Sequence, residues 1–515
     1  MGPQAALAQG DALHQGKRYA EAIVAYRRAL EGDARLFEAW YGLGCAAASL
    51  GAYGDAIDAL REAMALRPDA LGARCNLSQA LFELGEMDAA VAAYRSVTDA
   101  RDAEVRDVAL GALACIAPGC ADIGHAAIRS IRERWAASVA RDVRALPPAP
   151  LRQGGKLRIG YVSAFFGARN WMKPVWGVIN RHDRAQFEVH LLSEGADPSA
   201  ESGYADHTED RIWRIASVPN AVLAQRVREV GLDVLVDLNG YSRQARLPLF
   251  LHRPARRHIA WFNSYATSGI GAFDLLVGDT AVVMPEEELH YCERIVRVPG
   301  SYLAFEVLYP VPEVAPPPIL RNGWLTFGSF ASAYKITDGV VAAWSRLLLD
   351  APSAMLLLRN RTLGEASNRR SMAARFARHG LSADRLILQG GAEHFEFLRG
   401  YAEVDVALDT FPYNGGTTTT EALWQGVPVL TFNGDRWVGR TSRSLLEASG
   451  LGEWVAAGEI DFIRCGVALA RSPDTPARLA SLRASMRQRL ARSAVCDCET
   501  LCRALERIYH QVATS

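Results

Sequence analysis

Between Val404 and Trp424 the chain reads Val-Asp-Val-Ala-Leu-Asp409-Thr-Phe-Pro-Tyr-Asn414-Gly415-Gly416-Thr417-Thr418-Thr-Thr-Glu421-Ala-Leu-Trp. An apolar run of strand type enters a loop with two glycines, and four threonines lead into a helix expected from about Thr418. Glycine lets the backbone approach a ligand closely, while threonine hydroxyls and the first amides of a helix present donors backed by the helix dipole. This loop suits a diphosphate, with Asn414, Gly415, Gly416, Thr417 and Thr418 as the binding set. Glu421 stands about one turn into the helix, where a carboxylate can accept hydrogen bonds from ribose hydroxyls. The same letters also read as a plain helix start, with a threonine and a glutamate three residues on forming a capping box.

Diphosphate charge must be neutralised. No Walker motif and no G-x-G-x-x-G fingerprint follows a strand, and no clean D-x-D pair ends one to hold Mg²⁺, so neither metal nor cofactor is expected. Lys335 is the natural cation. It follows the apolar run Trp324–Phe330, and it is one of only four lysines (with Lys17, Lys156 and Lys173) among 57 basic residues. An ammonium at a strand end can stabilise charge on a leaving phosphate; the alternative is an ordinary surface lysine. Asp237, Asn239 and Tyr241 end another apolar run, and Thr267 and Ser268 lie in the loop after the next. They form a candidate acceptor wall, although each also reads as turn chemistry. Asp237 and His394 are the candidates for a general base. Cys496, Cys498 and Cys502 have metal-like spacing but fall in an amphipathic helix without partner ligands nearby in sequence. Arg436, Arg440 and Arg443 either face a ligand or solvate a helix.

The elements that carry these residues fall into three regions. Trp40, Leu43, Gly44, Ala47, Ala56, Leu60, Ala63 and Pro68 recur in kind 34 residues to either side, which is the tetratricopeptide pattern of paired helices. Repeats are expected over 1–105, then a helical bridge and linker over 106–155 stopped by Pro147, Pro148 and Pro150. Beyond Gly155, apolar runs at 157–163, 187–192, 233–238, 258–262 and 275–278 alternate with helical stretches. A second set at 324–330, 355–359, 386–389, 404–409 and 428–432 follows the proline-rich Tyr309–Pro318. The fold class is therefore α followed by α/β: two Rossmann-like domains, 156–308 on the acceptor side and 319–515 on the nucleotide side. Ligands of such sheets bind beyond the carboxyl ends of the strands.

Composition narrows the function classes. The 57 Lys+Arg balance 57 Asp+Glu, so the chain lacks the basic field needed to coat nucleic acid or an anionic membrane. Nine cysteines, an odd number spread thinly, are not a secreted disulfide framework. With no signal-peptide pattern at the start and no long apolar stretch, a cytoplasmic protein is expected.

Taken together, Leu157-Arg-Ile-Gly-Tyr-Val-Ser163, Asp237-Leu-Asn-Gly-Tyr241, Arg253-Pro-Ala255, Ala266-Thr-Ser-Gly269, Tyr334-Lys-Ile336, Leu408 to Thr418 and Leu423-Trp-Gln-Gly-Val-Pro428 resemble the O-linked N-acetylglucosamine transferase (SPINDLY-type) family, glycosyltransferase family 41. The resemblance spans the whole chain and implies a GT-B fold and inverting, metal-independent transfer of a sugar from a UDP-sugar to Ser/Thr of a protein. It also implies that Lys335 assists departure of UDP, that Gly416, Thr417 and Thr418 hold the phosphates, that Glu421 meets the ribose, and that the repeats recruit the protein acceptor. Transfer to asparagine, modification of flagellin and a catalytically silent repeat adaptor are the rival readings. Two positions depart from the family pattern: the loop Phe165–Lys173 has no histidine, and Phe397 replaces a second, with His394 one turn earlier.

Overall fold

The computed structural model describes residues 2–151 and 154–514. They divide into two compact units, one of 2–120, Pro316–Phe411 and Glu459–Leu479, the other of Ala121–Ala315, Pro412–Gly458 and 480–514.

The first unit opens with α1 (Pro3–Gln15), α2 (Tyr19–Gly32), α3 (Phe37–Ser49), α4 (Tyr53–Leu66), α5 (Leu71–Glu83) and α6 (Met87–Arg95), three helix pairs at the spacing read from the sequence. The repeat letters are the packing letters. Ala22, Ala29, Ala46, Ala56 and Ala63 are fully buried, and the Tyr26 ring packs with Ala22, Leu43, Ala46 and Ala59. A Cβ on Gly10 would lie 2.6 Å from that ring, so only glycine lets α1 and α2 close. α7 (Ala103–Ile116) follows, capped by Asp102, whose carboxylate accepts from the Glu104 and Val105 amides.

Thirteen strands run in chain order through the described residues: β1 (Leu157–Ser163), β2 (Phe187–Ser193), β3 (Arg211–Arg214), β4 (Val234–Asp237), β5 (Arg257–Ala260), β6 (Leu275–Gly278), β7 (Arg294–Arg297), β8 (Thr326–Ser329), β9 (Met355–Arg359), β10 (Leu386–Gln389), β11 (Val406–Leu408), β12 (Val429–Phe432) and β13 (Val455–Ala456). In the first unit the order β10-β9-β8-β11 is parallel throughout, with Phe327 opposite Leu356 on one side and Val406 on the other. In the second unit β3-β2-β1-β4-β5-β6-β7 form a parallel sheet, and β12 pairs with β13.

The expected strands are present; β3, β7 and the two-residue β13 are additions. β3 (Arg-Ile-Trp-Arg) and β7 (Arg-Ile-Val-Arg) are the two edges of their sheet, where charged residues are usual and the apolar run is broken.

The units do not follow the sequential division 156–308 and 319–515. The C-terminal helix Cys498–Thr514 belongs with β1: the Tyr509 and Tyr161 hydroxyls are 3.0 Å apart, and Glu506 accepts from His182 at 3.1 Å. Cys502 joins this network, its Sγ 3.5 Å from His182 Nδ1, and burial pushes its thiol pKa up. Cys498 packs against Gly177. The sequence showed no partner for these cysteines because His182 lies 320 positions from Cys502. The repeats, for their part, belong with β8–β11. Asn368, in the helix Ala366–Arg378, accepts from the Gly54 amide at 2.9 Å and donates to the Gly51 carbonyl at 2.7 Å.

Candidate active site

Each sheet has one place where the strand order reverses, and a ligand crevice forms there at the carboxyl ends. In the first unit the reversal lies between β8 and β11, and in the second between β1 and β4. Lys335 and Asp409 lie at the first of these, and Asp237 and Asn239 at the second.

After β8 the chain tightens into a single 3₁₀ turn, Ala333–Lys335. Thr337 then caps the helix Asp338–Asp350 and also donates to the Phe411 carbonyl at 3.3 Å, tying the β8 loop to the loop after β11. Lys335 is partly buried there. Loss of water brings its ammonium down to about 8, against the pull of the Asp409 carboxylate at the end of β11. His394 starts the short helix after β10, an edge strand two places from β8. That helix packs through Phe397, whose ring lies 5.2 Å from Phe330; Phe330 in turn stacks on Tyr401 at 4.3 Å. This aromatic group at the end of β8 joins residues 71 positions apart, and no local pattern signals it.

In the second unit the loop after β4 folds back on its own strand. Asp237 is buried and accepts from the amides of Gly240 at 2.8 Å and Asn239 at 3.2 Å. Burial nevertheless pushes its carboxyl up to about 7, and the charge of Glu194 adds to the rise. Asn239 accepts from the Ala164 amide at 2.8 Å, joining the β4 loop to the β1 loop. Its Nδ2 is buried with no hydrogen-bond partner among the described residues. Such a donor costs free energy until an acceptor arrives.

Tyr241, Thr267 and Ser268 spend their polar atoms inside the protein. Tyr241 donates to the Ser268 carbonyl at 2.6 Å; Glu293 accepts from the Thr267 hydroxyl at 2.8 Å and the Ser268 amide at 2.6 Å. The reason is Arg132 from α8 (His125–Val139). It is 2% exposed, donates to the carbonyls of Ser264 and Thr267, and lies 4.1 Å over the Tyr241 ring. The wall read from sequence is the seat of the bridging helix, with Asn239 as its member with an unused polar atom.

The glycine–threonine loop also lies in the second unit. Its helix starts at Thr417 with Gly416 as N-cap, so Thr418 sits inside the first turn and the alternative capping box does not form. Ser442 holds the loop, accepting from or donating to Thr419 at 2.8 Å and donating to the Gly415 carbonyl at 3.2 Å. Asn414 and Gly415 are buried, whereas Gly416, Thr417 and Thr418 keep partial exposure at the helix N-terminus.

Glu421 is buried and paired with Lys173, from the helix Arg169–Ile179. Tyr309 covers the ammonium, its ring centre 4.3 Å away. Burial pulls the Lys173 ammonium below its ordinary pKa while Glu421 opposes the shift. Sequence reasoning left Lys173 unassigned, although its rarity was the same signal that singled out Lys335. Arg436 and Arg440 are structural: Arg440 forks onto Glu287 at 2.6 and 2.8 Å, and Arg436 donates to the Ile123 carbonyl. Arg443 pairs with Glu447 along its own helix.

Two parallel α/β sheets, each with one reversal of strand order, following helical repeats in the chain, make a GT-B architecture with a tetratricopeptide front. The profile of Glycosyl transferase family 41 matches 139–307 and 319–505, and tetratricopeptide repeat profiles match 10–51 and 47–112; the chain belongs to family 41. Among curated relatives it is 30% identical over 369 residues to a protein of Petunia hybrida named probable UDP-N-acetylglucosamine–peptide N-acetylglucosaminyltransferase SPINDLY. It is 32% identical over 364 residues to the barley (Hordeum vulgare) protein of the same name. Each match covers 69% of this chain and 38% of the relative, so the chain spans well under half the length of these relatives. Among solved structures, a lysine-to-methionine mutant of the Thermobaculum terrenum O-GlcNAc transferase aligns with a TM-score of 0.83 and 28% identity, over 99% of this chain and 98% of that one.

The buried Lys173–Glu421 pair gives a stability prediction. Lys173→Met and Glu421→Gln each leave a charge without its partner and should cost about 3–5 kcal/mol, read as a lower urea midpoint. The double variant Lys173→Met/Glu421→Gln should recover part of that loss. Additive losses would show that the two side chains act independently.

Proposed function

We propose that this chain is an inverting protein O-glycosyltransferase that moves N-acetylglucosamine or a hexose from a UDP-sugar to Ser/Thr of a protein held by the repeats, without a metal ion. Lys335 carries the proposal: a partly buried cation at the reversal of a parallel sheet, depressed to about 8 yet still mostly protonated at neutral pH. In this reading its ammonium takes up charge as the bond from the anomeric carbon to the diphosphate breaks. The first amides of the helix Thr417–Trp424, with the hydroxyls of Thr417 and Thr418, hold phosphate oxygens. Asp237 is the better placed of the two base candidates, at a sheet reversal and with its carboxyl near 7, so it can take a proton from the acceptor hydroxyl at physiological pH. The buried Asn239 amide is available to an acceptor or sugar oxygen.

The recruiting surface is a groove of about 490 Å³ among α2, α3 and α4, floored by Ile23, Leu30, Trp40 and Leu43 and rimmed by Asp55 and Asp58. In this reading the enzyme works in a reducing cytoplasm. No helix among the described residues is long and apolar enough to cross a membrane.

The test is a panel of UDP- and GDP-sugars incubated with the protein and a lysate, with modified peptides identified by mass spectrometry. A UDP-sugar should be consumed and the sugar found on Ser or Thr. Lys335→Met should lower turnover by at least about 100-fold. No consumption of any donor, or a Lys335→Met variant as fast as the parent, overturns the proposal.

The pH profile follows from the same two groups. The active ammonium of Lys335 is lost as pH rises through about 8, and the active carboxylate of Asp237 is gained as pH rises through about 7. Turnover should therefore peak between these values, and Asp237→Asn should remove the acid limb. A profile flat from about pH 6 to about pH 9 contradicts both assignments.

A further inference from the structure

We infer that the third tetratricopeptide repeat is a positioning element for Lys335, acting through Arg375 and the turn Leu84–Glu86. The inference rests on the proposed function for its chemistry, but the geometry lies wholly within the first unit.

Arg375, in the helix Ala366–Arg378, is 1% exposed. Its guanidinium donates to the carbonyls of Leu84 at 2.6 Å and Gly85 at 3.2 Å, both in the turn between α5 and α6. The same fork donates to the Ile336 carbonyl at 2.6 Å, the residue after Lys335, and to Asp338 at 2.9 Å. One buried cation therefore clamps the repeat turn and the lysine loop together. The backbones touch as well. Gly85 has φ +81°, and a Cβ there would lie 2.4 Å from the Ile336 carbonyl oxygen and 2.7 Å from that of Ala333. On the neighbouring side, Phe82 of α5 stacks on Tyr334 with ring centres 5.0 Å apart, directly beside Lys335 in the chain.

A repeat array that only recruited proteins would need none of these contacts. A guanidinium presents its donors in a rigid fork, so satisfying three carbonyls and a carboxylate fixes their relative positions. Withdrawing it leaves buried carbonyls without a donor and frees the loop to move. Of the charged groups around the clamp, Asp409 acts on Lys335 itself, while Asp338, Glu86 and Arg378 act on Arg375. A loosened loop admits water to Lys335 and removes the desolvation that holds its ammonium down.

The experiment compares the full chain with Arg375→Met, Arg375→Lys, Gly85→Ala and Phe82→Ala. Thermal unfolding supplies the folded fraction of each, and donor turnover is followed across pH with and without a protein acceptor. Per folded molecule, Arg375→Met and Gly85→Ala should lower kcat about 10- to 100-fold with little change in the donor KM. Their alkaline limb should move to higher pH, Phe82→Ala should move it less, and Arg375→Lys should restore part of the rate. A chain with four lysines also gives a direct readout, the titration of the Lys335 ε-carbon by NMR, which needs no turnover. Variants that are merely less stable would keep the parent's limb and titration. That result, in folded Phe82→Ala and Gly85→Ala protein, overturns the inference. Absence of turnover in the parent chain would count against the glycosyltransferase reading and leave the NMR comparison to decide this one.

Discussion

The proposed function requires Lys335 to remain charged at a strand end where burial favours its neutral form. Two effects oppose each other there: desolvation lowers its affinity for the proton, and the Asp409 carboxylate across the sheet reversal raises it. The balance leaves an ammonium that is charged at neutral pH but poorly hydrated, the state in which a cation stabilises a developing phosphate charge most strongly. Much of the first unit serves this balance. β8 and β11 must be neighbours for Lys335 and Asp409 to interact, Thr337 must bond Phe411 to hold the loops together, and the repeat turn must pack behind the lysine.

The second unit meets the same physical problem with opposite sign. Asp237 is a buried carboxyl raised toward neutrality, and its own turn amides keep the rise moderate. Glu421 is buried too, yet Lys173 compensates it and Tyr309 covers the pair. The two acids are placed differently along the chain, Asp237 at the end of a strand and Glu421 inside a helix after four threonines, yet both are buried. Their partners separate them: Asp237 has dipoles only, whereas Glu421 has a full counter-charge. A compensated carboxylate is a fixed anchor for the glycine–threonine helix, and a raised one is free to exchange protons near pH 7.

What the sequence made legible followed from local chemistry. The repeats were visible because alanines and aromatics recur where helices touch, and the inner strands because both their faces are buried. The glycine–threonine loop and Lys335 stood out by composition and by rarity. The edge strands β3 and β7 escaped because arginines break their apolar runs, and the helix start one residue early, at Thr417, because Gly416 caps it without a side chain. Pairings across hundreds of residues were beyond reach. Lys173 and Glu421 are 248 positions apart, Arg375 and Leu84 291, and Arg132 and Thr267 135. Such contacts decide which candidate residues spend their polar atoms on the framework, as Tyr241, Thr267 and Ser268 show.

The most direct test of the central claim is the titration of Lys335 by ε-carbon NMR in the free protein and with UDP bound, with Lys335→Met used for assignment among the four lysines. The account predicts a midpoint near 8 in the free chain, rising when the nucleotide's diphosphate comes to lie against the ammonium. A midpoint at the ordinary lysine value of about 10.4, unmoved by UDP, would contradict it.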